Sequence, residues 1–131
     1  MSNKNSKRIA IALVTNENDK ILMGKRNDTD KWTMPAGHIE KGECPFMGMA
    51  RELKEETGLD AVDIKLVSCR MKNNMLLYLF KVEIDADQEI DTSGDPDKEC
   101  DDWEYIDPNE VKEELHVPME HNAVLKYWIE N

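Results

Sequence analysis

The stretch Gly37–Leu59, GHIEKGECPFMGMARELKEETGL, decides how the rest of the chain is read. Pro45 suits the first position of a helix, where its missing N–H costs no hydrogen bond, and that places Cys44 at the N-cap. Gly58 suits the left-handed residue that closes a helix. Between these ends Phe46, Met49, Ala50, Leu53 and Thr57 recur at helical spacing, which predicts one buried stripe packed on a sheet. Glu52, Glu55 and Glu56 stand at i, i+3 and i+4. They share a second face, roughly 120° from the first at 3.6 residues per turn. Three carboxylates so close repel one another. A hard cation, which takes oxygen ligands, converts that repulsion into binding. Glycine permits close backbone approach, so the loop that begins at Gly37 can bring backbone carbonyls to such a cation. Arg51, four residues before Glu55, is placed to brace the acids.

A solvated, Glu-rich helix face is the bland alternative, and for an isolated cluster it is the better reading. Here the cluster comes in register with Gly37, Glu43, Arg51 and Gly58, and with apolar Leu53 and Leu59. At average residue frequencies that coincidence arises by chance at roughly one site in 10⁹. The pattern resembles the Nudix box at every fixed position, so the chain resembles a Nudix hydrolase, of the MutT kind. The resemblance implies an α/β fold, an α/β/α sandwich around a mixed β-sheet. It implies a divalent cofactor, Mg²⁺ with Mn²⁺ as a substitute. Glu52 and Glu56 match its strongest metal ligands, Glu55 a supporting one and the Gly37 carbonyl a further one. Glu52 is also its MutT-type base. Glu43 and Arg51 match residues that stabilise the loop–helix join. One more carboxylate is often placed before a late strand, for which Glu99 is preferred here over Asp101 and Asp102.

Composition sets the frame. At 131 residues the chain reads as a single domain over 1–131, with 1–6 as a disordered lead. A net charge of −11 argues against a DNA- or RNA-duplex surface, which needs clustered basic residues. The same charge repels phosphates, and a bound Mg²⁺ would resolve that conflict. Cys44, Cys69 and Cys100 are odd in number and lack C-x-x-C spacing, so they read as reduced thiols of a cytoplasmic protein. The apolar run Ile9–Val14 is too short for a signal h-region or a membrane span.

Taken in order, Lys7–Thr15 reads as a buried strand, Asn16–Asp19 as a turn and Lys20–Lys25 as the hairpin partner. Arg26–Asp30 reads as a polar loop. Ala61–Met71 and Met75–Ile84 read as strands joined at Lys72-Asn73-Asn74. Asp85–Asp102, acidic and holding Ser93-Gly94-Asp95-Pro96, reads as a mobile loop. Trp103–Ile106 reads as a short strand. Helices follow, one capped at Asp107-Pro108 and running to Leu115, the other from Pro118 to Glu130 with Val124, Leu125 and Trp128 inward. Trp32 serves as a base-stacking candidate or a core aromatic, Tyr78 as a substrate contact or a strand residue. Asn122 echoes an asparagine with which MutT-type members read the base.

The activity that the resemblance implies is hydrolysis of a nucleoside diphosphate linked to another moiety, NDP-X to NMP plus P-X. Residues 60–95 hold no proline, the mark of ADP-ribose enzymes, and Tyr78 falls slightly late for the dinucleoside polyphosphate mark. Elimination favours a nucleoside triphosphate pyrophosphohydrolase, with dinucleoside polyphosphates, ADP-ribose and nucleotide sugars as alternatives. A non-catalytic nucleotide-binding regulator is the alternative from another class. The expected partner is thus a small nucleotide; the oligomeric state is not legible in the sequence.

Overall fold

The computed structural model describes residues 7–28, 30–85, 87–95 and 100–107. Strands β1 (Lys7–Val14), β2 (Ile21–Arg26), β3 (Trp32–Thr33) and β4 (Ala36–His38) precede helix α1 (Pro45–Thr57). Strands β5 (Ala61–Lys72), β6 (Met75–Ile84) and β7 (Cys100–Ile106) follow it, with a 3₁₀ turn at Thr92–Gly94. The strands form a mixed four-stranded sheet ordered β4-β1-β6-β5 and an antiparallel three-stranded sheet ordered β3-β2-β7. In the first, β1 runs parallel to β6 and antiparallel to β4.

Strand β1 is nearly all apolar because both of its faces are covered, as in parallel sheets. Ala10, Ala12 and Val14 point into a core shared with Met49 and Leu53 of α1 and with Leu22, Phe80, Val82 and Trp103. Ile11 and Leu13 point the other way, to Ile21, Met23, Met34 and Leu79. Met49 and Leu53 are fully buried, and each contributes roughly 2 kcal/mol by that burial. The small side chains of Ala10 and Ala12 leave room for them.

The helix spans the residues its sequence predicts, with Pro45 in the first turn and Gly58 left-handed at φ 75°. Cys44 at the N-cap makes no side-chain capping bond, as befits a thiol, a weak acceptor. The buried stripe is shorter than expected. Met49, Leu53 and Thr57 are buried, whereas Phe46 is 41% exposed and touches the core only edge-on, through Phe80 at 5.1 Å. One turn into the helix, its ring reaches the margin of the sheet and no further.

Three other expectations need correction. Strands β1 and β2 do not form a hairpin: apart from the single bridge Thr15↔Ile21 they belong to different sheets. Asn16 does make the turn, its side chain accepting from the backbone N–H groups of Asn18 and Lys20. Both edges of β1 are already taken, by β4 and β6, which leaves none for β2. Second, the segment after β6 is tied down where it is described. The Asp91 N–H donates to the Thr57 carbonyl at 2.7 Å, and Gln88 brackets the Asp60 backbone with two bonds. Third, Asp101 and Asp102 belong to β7, not to a loop, and Asp102 pairs with Lys25. Asn73 and Asn74 both have positive φ and turn β5 into β6, the backbone a two-residue hairpin needs. The expectations for 1–6, for Glu99 and for the helices from Pro108 onward lie outside the described residues.

Candidate active site

Three consecutive residues of β4 meet Glu56, Glu52 and Arg51 of α1, two adjacent turns of the helix. The Ala36 N–H donates to Glu56 Oε1 at 3.1 Å. Gly37 lies flush against Glu52: a Cβ there would overlap the Glu52 carboxylate outright. The His38 carbonyl accepts from Arg51 Nη2 at 3.0 Å. Glycine at 37 is thus required by the space the carboxylate fills.

Arg51 organises the acids. It donates a two-pronged pair to Glu43, Nε to Oε2 at 2.8 Å and Nη2 to Oε1 at 2.9 Å. Its Nη1 reaches Glu52 Oε1 at 3.0 Å and both oxygens of Glu55 at 3.3 Å. Such planar, charge-assisted pairing is what a guanidinium does and an ammonium does not. Glu43 also accepts the Glu40 N–H at 2.9 Å. Arg51 first, and then the Glu40 N–H, hold the Glu43 carboxyl down at about 2. The surrounding acids, Glu43 foremost, raise the Arg51 pKa in turn.

Glu52 is different. Its side chain is only 15% exposed, and burial pushes its carboxyl up, against the opposing pull of Arg51. Glu55 is more open, at 42%. The turn before α1 and the helix itself therefore hold acids in three environments: an ion-paired Glu43 ahead of the N-cap, a half-desolvated Glu52, and an accessible Glu55. The donor set, carboxylates beside a backbone pressed close by Gly37, fits a hard divalent cation in kind. Among the described residues, no three His, Cys, Asp or Glu side chains converge as they stand to hold an ion. Arg51 lies among Glu43, Glu52 and Glu55 and draws their oxygens to itself.

Of the remaining sequence candidates, Trp32 is half-buried in β3 and packs on the core that contains Met23 and Met34. Tyr78 stacks on Phe80 at 6.2 Å and packs on the opposite, helix-side core. The structure therefore does not bring the two aromatics together. Glu99 and Asn122 lie outside the described residues. Sequence reasoning missed Arg8, whose Nη2 donates to the carbonyls of Glu40 at 2.7 Å and Glu43 at 3.0 Å. No spacing rule could have joined it to residues so far along the chain. It also missed the Ala36 N–H, a backbone donor that leaves no mark in sequence.

Comparisons with known proteins bear on the family and the fold. The family model described as NUDIX domain matches residues 5–128. An RNA pyrophosphohydrolase of Legionella pneumophila (strain Paris) is 25% identical over 124 residues, covering 79% of this chain and 70% of the relative. A MutT structure described for Aliivibrio salmonicida and Vibrio cholerae superposes with a TM-score of 0.77 at 20% identity, covering 95% of this chain and 97% of that one. The NUDIX domain of Shewanella oneidensis NrtR, solved with ADP ribose, gives a TM-score of 0.74 at 14% identity, with 95% of this chain and 87% of that one covered. With box, fold and family model in agreement over nearly its whole length, the chain belongs to the NUDIX family.

Proposed function

We propose that the chain is a Mg²⁺-dependent hydrolase of phosphoric anhydride bonds, converting NDP-X to NMP plus P-X, with nucleoside triphosphates as its preferred substrates. The observation that carries this reading is the set of box carboxylates on α1: Glu56 and Glu52 meet Ala36 and Gly37 of β4, and Arg51, anchored on Glu43, braces Glu52 and Glu55. Glu52, Glu55, Glu56 and the Gly37 carbonyl would hold the cation. When bound, it would neutralise the bridging phosphates and acidify a water. Glu52, desolvated and raised in pKa, is suited to accept that water's proton as the new oxygen–phosphorus bond forms and the anhydride P–O bond breaks. Glu43 and Arg51 hold the helix face in place, so that catalysis is mainly positioning and charge stabilisation. No described helix is long and apolar enough to cross a membrane, and free thiols at Cys44, Cys69 and Cys100 suit a cytoplasmic nucleotide pool.

A second reading is favoured by the relatives named RNA pyrophosphohydrolase: the triphosphate at the 5′ end of an RNA strand. The two readings share the bond that breaks and differ in what hangs from the α-phosphate. The test is product analysis with Mg²⁺ on nucleoside triphosphates, a 5′-triphosphorylated oligoribonucleotide, dinucleoside polyphosphates, ADP-ribose and nucleotide sugars. Pyrophosphate plus a nucleoside monophosphate supports the first reading. A kcat/KM at least tenfold higher on the oligoribonucleotide moves the assignment to the second. Saturable nucleotide binding with no product from any compound would make the chain a binding module.

A further inference from the structure

Arg8 stands on β1, outside the Gly37–Leu59 stretch, and reaches the turn that leads into α1. Its two Nη2 hydrogens serve two backbone carbonyls of that turn, Glu40 at 2.7 Å and Glu43 at 3.0 Å. A lysine ammonium lacks the fixed planar fork that makes such a double contact rigid. The turn also closes on itself, through the Glu43 N–H to the Glu40 carbonyl and the Glu40 N–H to Glu43 Oε1. The β1–β4 ladder is held by backbone, with the Ile39 N–H donating to the Arg8 carbonyl at 2.8 Å. Neither the turn nor the sheet needs the Arg8 side chain in order to form. What the guanidinium adds is a fixed distance between the turn and the sheet.

That distance matters because Glu43 is the anchor of Arg51, and Arg51 in turn sets the positions of Glu52 and Glu55. We propose that Arg8 is a positioning residue: by clamping the Glu40 and Glu43 carbonyls to β1 it fixes the Glu43–Arg51 pair, and through it the carboxylate face of α1. The consequence for metal binding rests on the functional reading above; the consequence for Arg51 does not. Arg8 acts through its two hydrogen bonds to the turn.

The test compares wild type with Arg8→Met, which keeps the apolar stem, and Arg8→Lys, which keeps the charge. Two quantities are read on folded protein: solvent exchange of the Arg51 Nε–H by NMR, and Mn²⁺ affinity by electron paramagnetic resonance. Arg8→Met is expected to lose protection of the Arg51 Nε–H and to bind Mn²⁺ roughly 10- to 100-fold more weakly, the range for a residue behind a ligand. Arg8→Lys should fall between. Wild-type values of both quantities in folded Arg8→Met, or in Arg8→Lys if that alone folds, overturn the proposal. Altered exchange with unchanged Mn²⁺ affinity also overturns it, since Arg8 would then be structural only. A wild-type protein that neither binds Mn²⁺ nor hydrolyses any nucleotide defeats the functional reading instead, and Arg51 exchange alone then decides the role of Arg8.

Discussion

Glu43 is where ionisation and stability meet. Its carboxyl is held at about 2 in the folded chain, against an ordinary 4.5. A depressed carboxylate contributes stability above its unfolded pKa and loses it as pH falls through the folded one. The window is therefore pH 4.5 down to 2, and acid should weaken the fold there. The side chain is 18% exposed, so screening reduces the effect to on the order of 1–2 kcal/mol between pH 6 and pH 3. Urea unfolding at the two values should show wild type losing that much more than Glu43→Gln; equal losses would remove the ion pair from the account. At Gly37 a methyl group would displace the Glu52 carboxylate, the movable end of a side chain. Gly37→Ala should therefore fold with a nearly unchanged Tm yet lose at least about tenfold in kcat, a cost in geometry and not in stability. The seven box identities were legible because each is fixed by local spacing. Arg8 was not, because its partners are set by how β1 and the turn meet in space.

The helix was readable from its punctuation. Pro45 and Gly58 bound α1 as their backbone chemistry requires, and no tertiary contact was needed to find them. Gly58 carries a second constraint that sequence could not reveal. A Cβ there would lie 2.6 Å from the Asp91 carbonyl oxygen, backbone that cannot swing aside, and φ is already 75°. Gly58→Ala should cost more than about 1 kcal/mol, measured as a lower urea midpoint at unchanged m-value. A neutral result would mean that the strap from Asp85 to Asp95 moves freely with the helix end. The strap itself was read as mobile because its composition is acidic and turn-rich. Its bonds to the backbone of Thr57, from the Asp91 N–H, and of Asp60, through the Gln88 side chain, join chain positions a local window does not see. The β1–β2 hairpin failed for a related reason: alternation and a turn define two strands, whereas the choice of partner belongs to the sheet.

For the molecule as a whole, Arg51 balances the repulsion among Glu43, Glu52 and Glu55 without an ion, although their oxygens turn to the guanidinium and do not converge on a metal position. Folding then does not depend on metal, unlike small domains whose cores are held by it. Chelation with EDTA is expected to abolish hydrolysis while leaving the far-UV circular dichroism unchanged. The Tm should drop by no more than the mass-action increment of a departing ligand. Collapse of the spectrum on chelation would show the ion to be structural. The α/β architecture was legible through the family resemblance that the box carries, since the periodicity of strands and helix alone leaves the topology open. The division into two sheets was not, because it turns on β2 choosing β3 and β7 over β1. The central place of β1 also has a cost in time. Its parallel partner β6 is complete only once Ile84 has left the ribosome. Until then its apolar run from Ile9 to Val14 lacks one of its two neighbouring strands and is open to pairing with other chains. Slowed translation through α1 and β5 is therefore expected to lower the soluble yield, read as the soluble fraction on expression.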